Sequence, residues 1–311
     1  MSTSDSQAQV HPGEGILPGR AFLPLFLLLA VGAMLGVTAV IAKAAALAGW
    51  PPLALLAWSI LGAALLQVGL TAASGKRLNT SAPYLRYYLV SGLLFALPNA
   101  LAFAAAQHVG AGIVALCFAF PLILTYGLAL CFRLERLQAT RLGGVLVGLV
   151  GALVIATGDS GQGLLSSTWL LAALAAPVII AFGNLYRSLH WPQGATALEL
   201  SPGMLLAGGG SLLAALLAAG ATLHPVEWNF ITSAFLLGQT AIFALLYLLY
   251  FILQKLAGPV YLSQIGSVGA LVGLALATLL LAEPLSTKLL LAAALVAVGI
   301  FLVNRRGRKA G

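Results

Sequence analysis

The chain has 311 residues, of which 61% are apolar and only 7% charged, against about 25% charged in an ordinary soluble domain. With a mean hydropathy of +1.05, too little polar surface remains to cover a water-soluble globule. That excludes a soluble enzyme, a nucleic-acid-binding domain and a disordered protein, and the formal net charge of +8 reads as basic loops held on the cytoplasmic face of a membrane.

Residues 1–20 are polar and rich in Ser, Gln, Gly and Pro, and are expected to form a disordered cytoplasmic tail. Arg20 opens the apolar run Ala21–Ala42, about 22 residues, long enough to cross a ~30 Å hydrocarbon core. It reads as an uncleaved first helix and not as a signal peptide, whose apolar core is shorter. Apolar windows then recur near 21–45, 52–73, 86–108, 110–132, 141–157, 168–190, 198–222, 232–254, 259–281 and 286–304, which predicts ten spanning helices. Pro51-Pro52 opens the second, because proline is tolerated in a first turn. Ser74-Gly75-Lys76-Arg77-Leu78-Asn79 and Gly158-Asp159-Ser160-Gly161 are polar breaks. The third and fourth helices are divided at Val109-Gly110, since 86–132 as one helix would run about 70 Å. A basic tail, 305–311, follows the last.

The distribution of basic residues tests this count. Arg20, Lys76, Arg77, Arg86, Arg133, Arg136, Arg141, Arg187, Lys255, Arg305, Arg306, Arg308 and Lys309 fall on one side, and only Lys43 and Lys288 of the 15 basic residues fall on the other. Such a bias expects both termini in the cytoplasm. Trp50, Trp169 and Trp228 then belong to an outer aromatic belt and Trp191 to the inner one.

A shift of 148 residues lays Gly110 on Gly258, Glu135 on Glu283 and Val150-Gly151 on Val298-Gly299. Each half holds five expected spans, an odd number, so the second half enters the membrane the other way up. Inverted repeats of this kind carry a substrate site near the midplane between the halves in secondary transporters. The segment Gly110…Arg133-Leu134-Glu135-Arg136-Leu137…Gly143-Gly144…Gly151-Ala152-Leu153-Val154-Ile155, echoed by Leu281-Ala282-Glu283-Pro284-Leu285-Ser286…Val298-Gly299-Ile300, resembles the closing part of each repeat in the EamA family of the drug/metabolite transporter (DMT) superfamily. The resemblance covers roughly residues 20–305. It departs from the family pattern in having Leu134 and Ala282 where Gly usually precedes the Glu, and in lacking an aromatic early in the first helix. It implies an all-α membrane protein of ten helices in two inverted five-helix repeats, 21–157 and 168–304, around a central cavity. It also implies an inner-membrane exporter of amino acids, other metabolites or drugs.

Polar side chains near the midplane are costly to bury and point to the site. Asn99, beside Pro98 in the third helix, falls on Tyr247 of the eighth under the repeat shift. It either lines the site or bonds between helices. Gln239, Phe243, Tyr247, Tyr250 and Gln254 share one stripe of the eighth helix, offering amides and rings to an apolar or aromatic substrate or simply packing inward. Phe118, Pro121 and Thr125 share a face of the fourth helix. Asn184 sits a turn before Arg187 in the sixth, where Arg187 is expected to snorkel to the inner surface. Gln264 and Ser267 in the ninth helix, and more weakly Gln67 in the second, are further lining candidates. Pro98, Pro121 and Pro177 are candidate hinges. Lys43 and His108, near the outer ends of their helices, are candidate charge partners, Lys43 for a substrate carboxylate and His108 for a proton, against a surface role for each.

No acid falls near a helix centre, so a midplane carboxylate relay has no members. Glu135 and Glu283 are expected to hold loops by pairing with Arg133, Arg136 or Lys288. Cys117 and Cys131 read as buried hydrophobes. No metal or cofactor is implied. The glycines of Gly144-xxx-Gly148 and Gly151 allow close helix packing, within the chain or across a homodimer seam. The leading expectation is a secondary transporter of a small metabolite, with the substrate and the lipid bilayer as partners. The alternatives are an intramembrane enzyme, for which no GxSxG, HExxH or central acid pair exists, and a channel or scaffold, for which no filter loop or charged ring is visible.

Overall fold

A computed structural model describes residues 22–132, 137–157 and 168–304. The expected tails at 1–20 and 305–311, and Arg133, Leu134, Glu135 and Arg136, lie outside the described residues. Helix follows helix: α1 (Phe22–Leu47), α2 (Pro52–Ala73), α3 (Ala82–Val109), α4 (Ala111–Cys117), α5 (Phe120–Cys131), α6 (Ala139–Thr157), α7 (Thr168–Leu189), α8 (Ala197–Ala218), α9 (Phe230–Leu262), α10 (Ile265–Leu281) and α11 (Thr287–Asn304). Among the described residues, seven stretches are long and apolar enough to cross a membrane: α1, α2, α3, Ala111–Cys131, α7, α8 and α9. Ala139–Gly151, Ile265–Leu281 and Thr287–Leu302 are shorter apolar helices.

Local chemistry sets the boundaries. Pro52 opens α2 and a proline lies in the first turn of α3, where a missing N–H costs nothing. Capping boxes at Thr196/Glu199 and Asn229/Thr232 start α8 and α9. Gly110, at φ 94°, separates α3 from α4 where the sequence placed the division. Gly258, at φ 75° and ψ 178°, interrupts α9 in the same way, a conformation open to glycine alone at little cost.

Two expected helices are each found in two pieces. The window 110–132 is α4 and α5, broken at Phe118-Ala119, and 259–281 is the end of α9 followed by α10. The first break precedes Pro121, which thereby occupies the first turn of α5 and not a helix interior, where it would strip Cys117 of its hydrogen bond. After Gly258, Pro259 likewise begins a new turn.

The packing pairs are α1 with α9 and α10, α2 with α8 and α9, α3 with α7 and α8, α4 with α10, α5 with α7, and α6 with α11. Small residues let the backbones close. A methyl on Gly299 would sit 2.7 Å from the Gly144 carbonyl and 3.0 Å from the Gly148 nitrogen. The glycine face of α6 is therefore packed against α11 of the same chain. Buried polar groups tie the helices as well. Pro202 inside α8 leaves the Leu198 carbonyl without its helical donor, and the Thr71 hydroxyl of α2 lies 2.7 Å from it. Gln67 Nε2 donates to the Ala244 carbonyl of α9 at 2.6 Å, so this amide joins helices and does not line a cavity. Trp50, expected in a surface belt, is buried. Its Nε1 donates to the Thr232 carbonyl at 2.8 Å and its ring meets Trp228 edge-on at 5.4 Å.

Candidate functional site

A cavity lies where α1, α3, α7, α8, α9 and α10 meet the α4–α5 break. Its walls include Leu94, Phe95, Pro98 and Asn99 from α3, Asn184 and Arg187 from α7, Tyr247 and Tyr250 from α9, and Phe118, Pro121 and Gly266 around the break. The broken helix is part of this design. Phe118 at the break has its backbone pressed against α10, so that a methyl on Gly266 would fall 1.6 Å from the Phe118 carbonyl oxygen. Pro98 leaves the carbonyl of Leu94, itself a lining residue, without its helical donor. Asn99 Nδ2 donates to the Phe95 carbonyl at 2.8 Å. The Phe95 ring meets Tyr247 edge-on at 4.6 Å, and Tyr247 continues to Phe243 at 5.5 Å and to Tyr250 at 6.0 Å.

The polar end of the cavity is a network on Arg187. Nη2 donates to Asn184 Oδ1 at 2.9 Å and to the Tyr250 hydroxyl oxygen at 2.7 Å. The Tyr250 hydroxyl itself donates to Asn184 Oδ1. Gln254 Nε2 donates to the Asn184 carbonyl at 3.1 Å and to Ser188 Oγ at 3.0 Å. The guanidinium lies 5.4 Å from the centre of the Tyr250 ring, and Arg187 is only 4% exposed.

Asn99, Tyr247, Phe118, Asn184, Pro98 and Pro121 thus line one cavity, and the two residues related by the 148-residue shift, Asn99 and Tyr247, face it together. The α9 stripe is one buried face, Gln239, Phe243, Tyr247, Tyr250 and Gln254 alike, yet only the two tyrosines reach the cavity. Gln239 is 0% exposed, with neither amide atom bonded. Phe243 packs between Phe103 and Tyr247. Gln264, Ser267 and Pro177 are outside the lining. Arg187, expected to snorkel, is buried in the network instead. The aromatic groups Tyr87, Tyr186 and Trp191 gather around that end of α7, with the Tyr87 hydroxyl 3.4 Å from the Arg187 carbonyl. Tyr250 was legible as part of the stripe. The signal for Arg187 was the Asn184-xx-Arg187 spacing, which puts two polar groups on one helix face.

The charge partners lie elsewhere. His108 is exposed and stacks on Trp169 at 4.1 Å. Lys43 Nζ meets Glu283 Oε1 at 2.6 Å, and the same carboxylate accepts from the Ala111 and Gly112 N–H groups at 2.8 and 2.9 Å. Glu283 therefore takes Lys43 as its ion-pair partner, where the sequence pointed to Arg133, Arg136 or Lys288, because the start of α4 brings free N–H groups beside the end of α1. Burial alone would push the Glu283 carboxyl up, but the bonds from Lys43, Gly112 and Ala111 outweigh it and hold it below the ordinary range.

Residues 22–157 match the EamA-like transporter family, a family of the DMT superfamily. A solved crystal structure of a protein, 16% identical, has the same fold with a TM-score of 0.63, covering 91% of this chain and 96% of that one. No curated protein matches the chain. The apolar helices and the family match together make this a multi-pass membrane protein.

Proposed function

Starting from a multi-pass protein whose first half is EamA-like, we propose that this chain is a secondary transporter of the cell inner membrane that moves a small metabolite outward by alternating access. In this reading ten helices cross the bilayer, counting α4 with α5 as one, in two inverted repeats with both termini cytoplasmic. The packing pairs support the repeat. Exchanging each helix for its counterpart 148 residues on turns α1·α10 into α7·α5, α3·α7 into α9·α1 and α3·α8 into α9·α2, and all of these pairs occur. The paired breaks at Gly110 and Gly258 support it too.

One observation carries the functional reading: Asn99 and Tyr247, equivalent positions of the two halves, line the same central cavity. A transporter with inverted repeats places its substrate there. Phe118, Asn184, Phe95 and Tyr250 complete the proposed substrate surface, and Pro98 inside α3 and Pro121 in the first turn of α5 are the proposed hinges.

The test is flux in proteoliposomes for a panel of labelled amino acids, nucleosides, organic carboxylates and lipophilic cations. Saturable flux of one class, reduced at least about tenfold by Asn99→Ala or Tyr247→Ala, is the expected result, in line with the loss of a buried polar contact. Flux unchanged in both folded variants would remove these residues from the site. No flux of any compound by folded wild-type protein would overturn the transporter reading.

A further inference from the structure

Arginine carries five N–H donors and keeps its proton at any accessible pH. The two donors on Nη2 of Arg187 go to Asn184 and Tyr250. Nε and Nη1, which carry the other three, are buried with no partner. Arg187 is also the one charged side chain in the cavity lining, and the ion pair found among the described residues joins Lys43 to Glu283 at another site. A buried cation with neutral neighbours and unfilled donors is unfavourable unless a counter-charge arrives. The dipole at the end of α7 eases the charge but gives those N–H groups no acceptor. The position is also built to hold the guanidinium. A methyl on Gly183 would lie 3.0 Å from Nη1 and 3.2 Å from Nη2, so the group rests against bare backbone.

We infer that the cavity takes an organic monoanion, a carboxylate on an apolar or aromatic body, and that Arg187 is the residue that receives the carboxylate. The inference rests on the transporter reading and narrows it to a substrate class. One positive charge calls for one negative charge. No acid lines the cavity to receive an ammonium group, which favours a plain carboxylate over a zwitterion. Leu35, Phe95, Phe118, Ile180, Leu246 and Tyr247 supply a wall for the body. Nε and Nη1 are closed to water in the present state, so the anion meets them as the packing around Tyr250 opens. Arg187 is then neutralised within the low-dielectric interior, where a charge-assisted bond is strongest.

The experiment is equilibrium binding to the full chain in lipid nanodiscs of three compounds of one shape: 3-phenylpropionate, 3-phenylpropionamide and 3-phenylpropylammonium. The acid is expected to bind at least about tenfold more tightly than the other two, the size of one charge-assisted hydrogen bond. Arg187→Gln removes that preference, Arg187→Lys keeps part of it, and Gly183→Ala, which displaces the guanidinium, narrows it. Should Arg187→Gln fail to fold, the wild-type series and Gly183→Ala still decide. Equal binding of acid and amide, a preference that survives Arg187→Gln, or no binding of the acid overturns the inference. If the flux panel still identifies a transported compound in that case, the transporter reading stands without it. If folded protein moves nothing in the panel, both fall.

Discussion

Ala282 is the one non-glycine residue with positive φ among the described residues, at φ 51° and ψ 33°, immediately after α10. Its left-handed turn aims the next residue, Glu283, back at the start of α4. Glycine takes this conformation freely, whereas a Cβ in the left-handed region costs about 1–2 kcal/mol. Glycine loosens the unfolded chain by about 0.4–1 kcal/mol, so Ala282→Gly is expected to gain a net 0.5–1 kcal/mol or so. A rise in thermal midpoint in detergent checks this, and a fall would show that Ala282 makes a contact worth more than its strain. The departure from the EamA pattern was readable in the sequence and its conformational meaning was not. Arg187 shows the opposite case. Its position near the end of α7 argued for snorkelling because distance along one helix says nothing about neighbours, and Tyr87, Tyr186 and Trp191 close over that end.

At the scale of elements, the apolar windows located the helical stretches among the described residues, though two of them fall in two pieces each, and Gly110 marked the division of α3 from α4. The interior breaks at Phe118-Ala119 and Ser263-Gln264 lie within long apolar runs, the first with no polar residue at the break and the second marked by a polar pair that reads equally well as cavity lining. They follow from where prolines fall and from contacts with other helices. The stripe on α9 was legible as a face, whereas its division into packing (Gln239, Phe243) and cavity (Tyr247, Tyr250) depends on which helices cross it. The Lys43–Glu283–α4 contact joins three elements that sequence distance separates. Because the native Glu283 carboxyl titrates below its ordinary range, its stabilising effect is complete above the unfolded-state value and is lost as pH falls through the native one. Wild-type thermal stability should therefore drop on acidification into the carboxylate range. Glu283→Gln is expected to cost about 2 kcal/mol at neutral pH, the range for charge-assisted hydrogen bonds, and to flatten that dependence. A variant whose pH profile parallels wild type would assign the acid sensitivity to another group.

For the molecule as a whole, the distribution of charge bears on what drives transport. The cavity lining holds Arg187 and no acid, so the site has no carboxylate to exchange a proton with the substrate. A monoanion bound at Arg187 and released alone carries one negative charge across the membrane. The potential then does the work, about 2.3 kcal/mol per charge per 100 mV, or roughly a 50-fold accumulation ratio. Inside-negative cells expel such an anion, which gives the outward direction proposed for this chain a physical source that needs no coupling ion. Proteoliposomes loaded with 3-phenylpropionate separate the possibilities. With a potassium gradient and valinomycin, efflux should speed up when the interior is negative and slow when it is positive, with no dependence on an imposed pH gradient beyond that of protein-free liposomes. Protein-dependent efflux that ignores the potential and follows the pH gradient would mean that a proton travels with the anion. The carrier of that proton would then have to be sought outside the cavity, at exposed groups such as His108, and the buried arginine would serve binding alone.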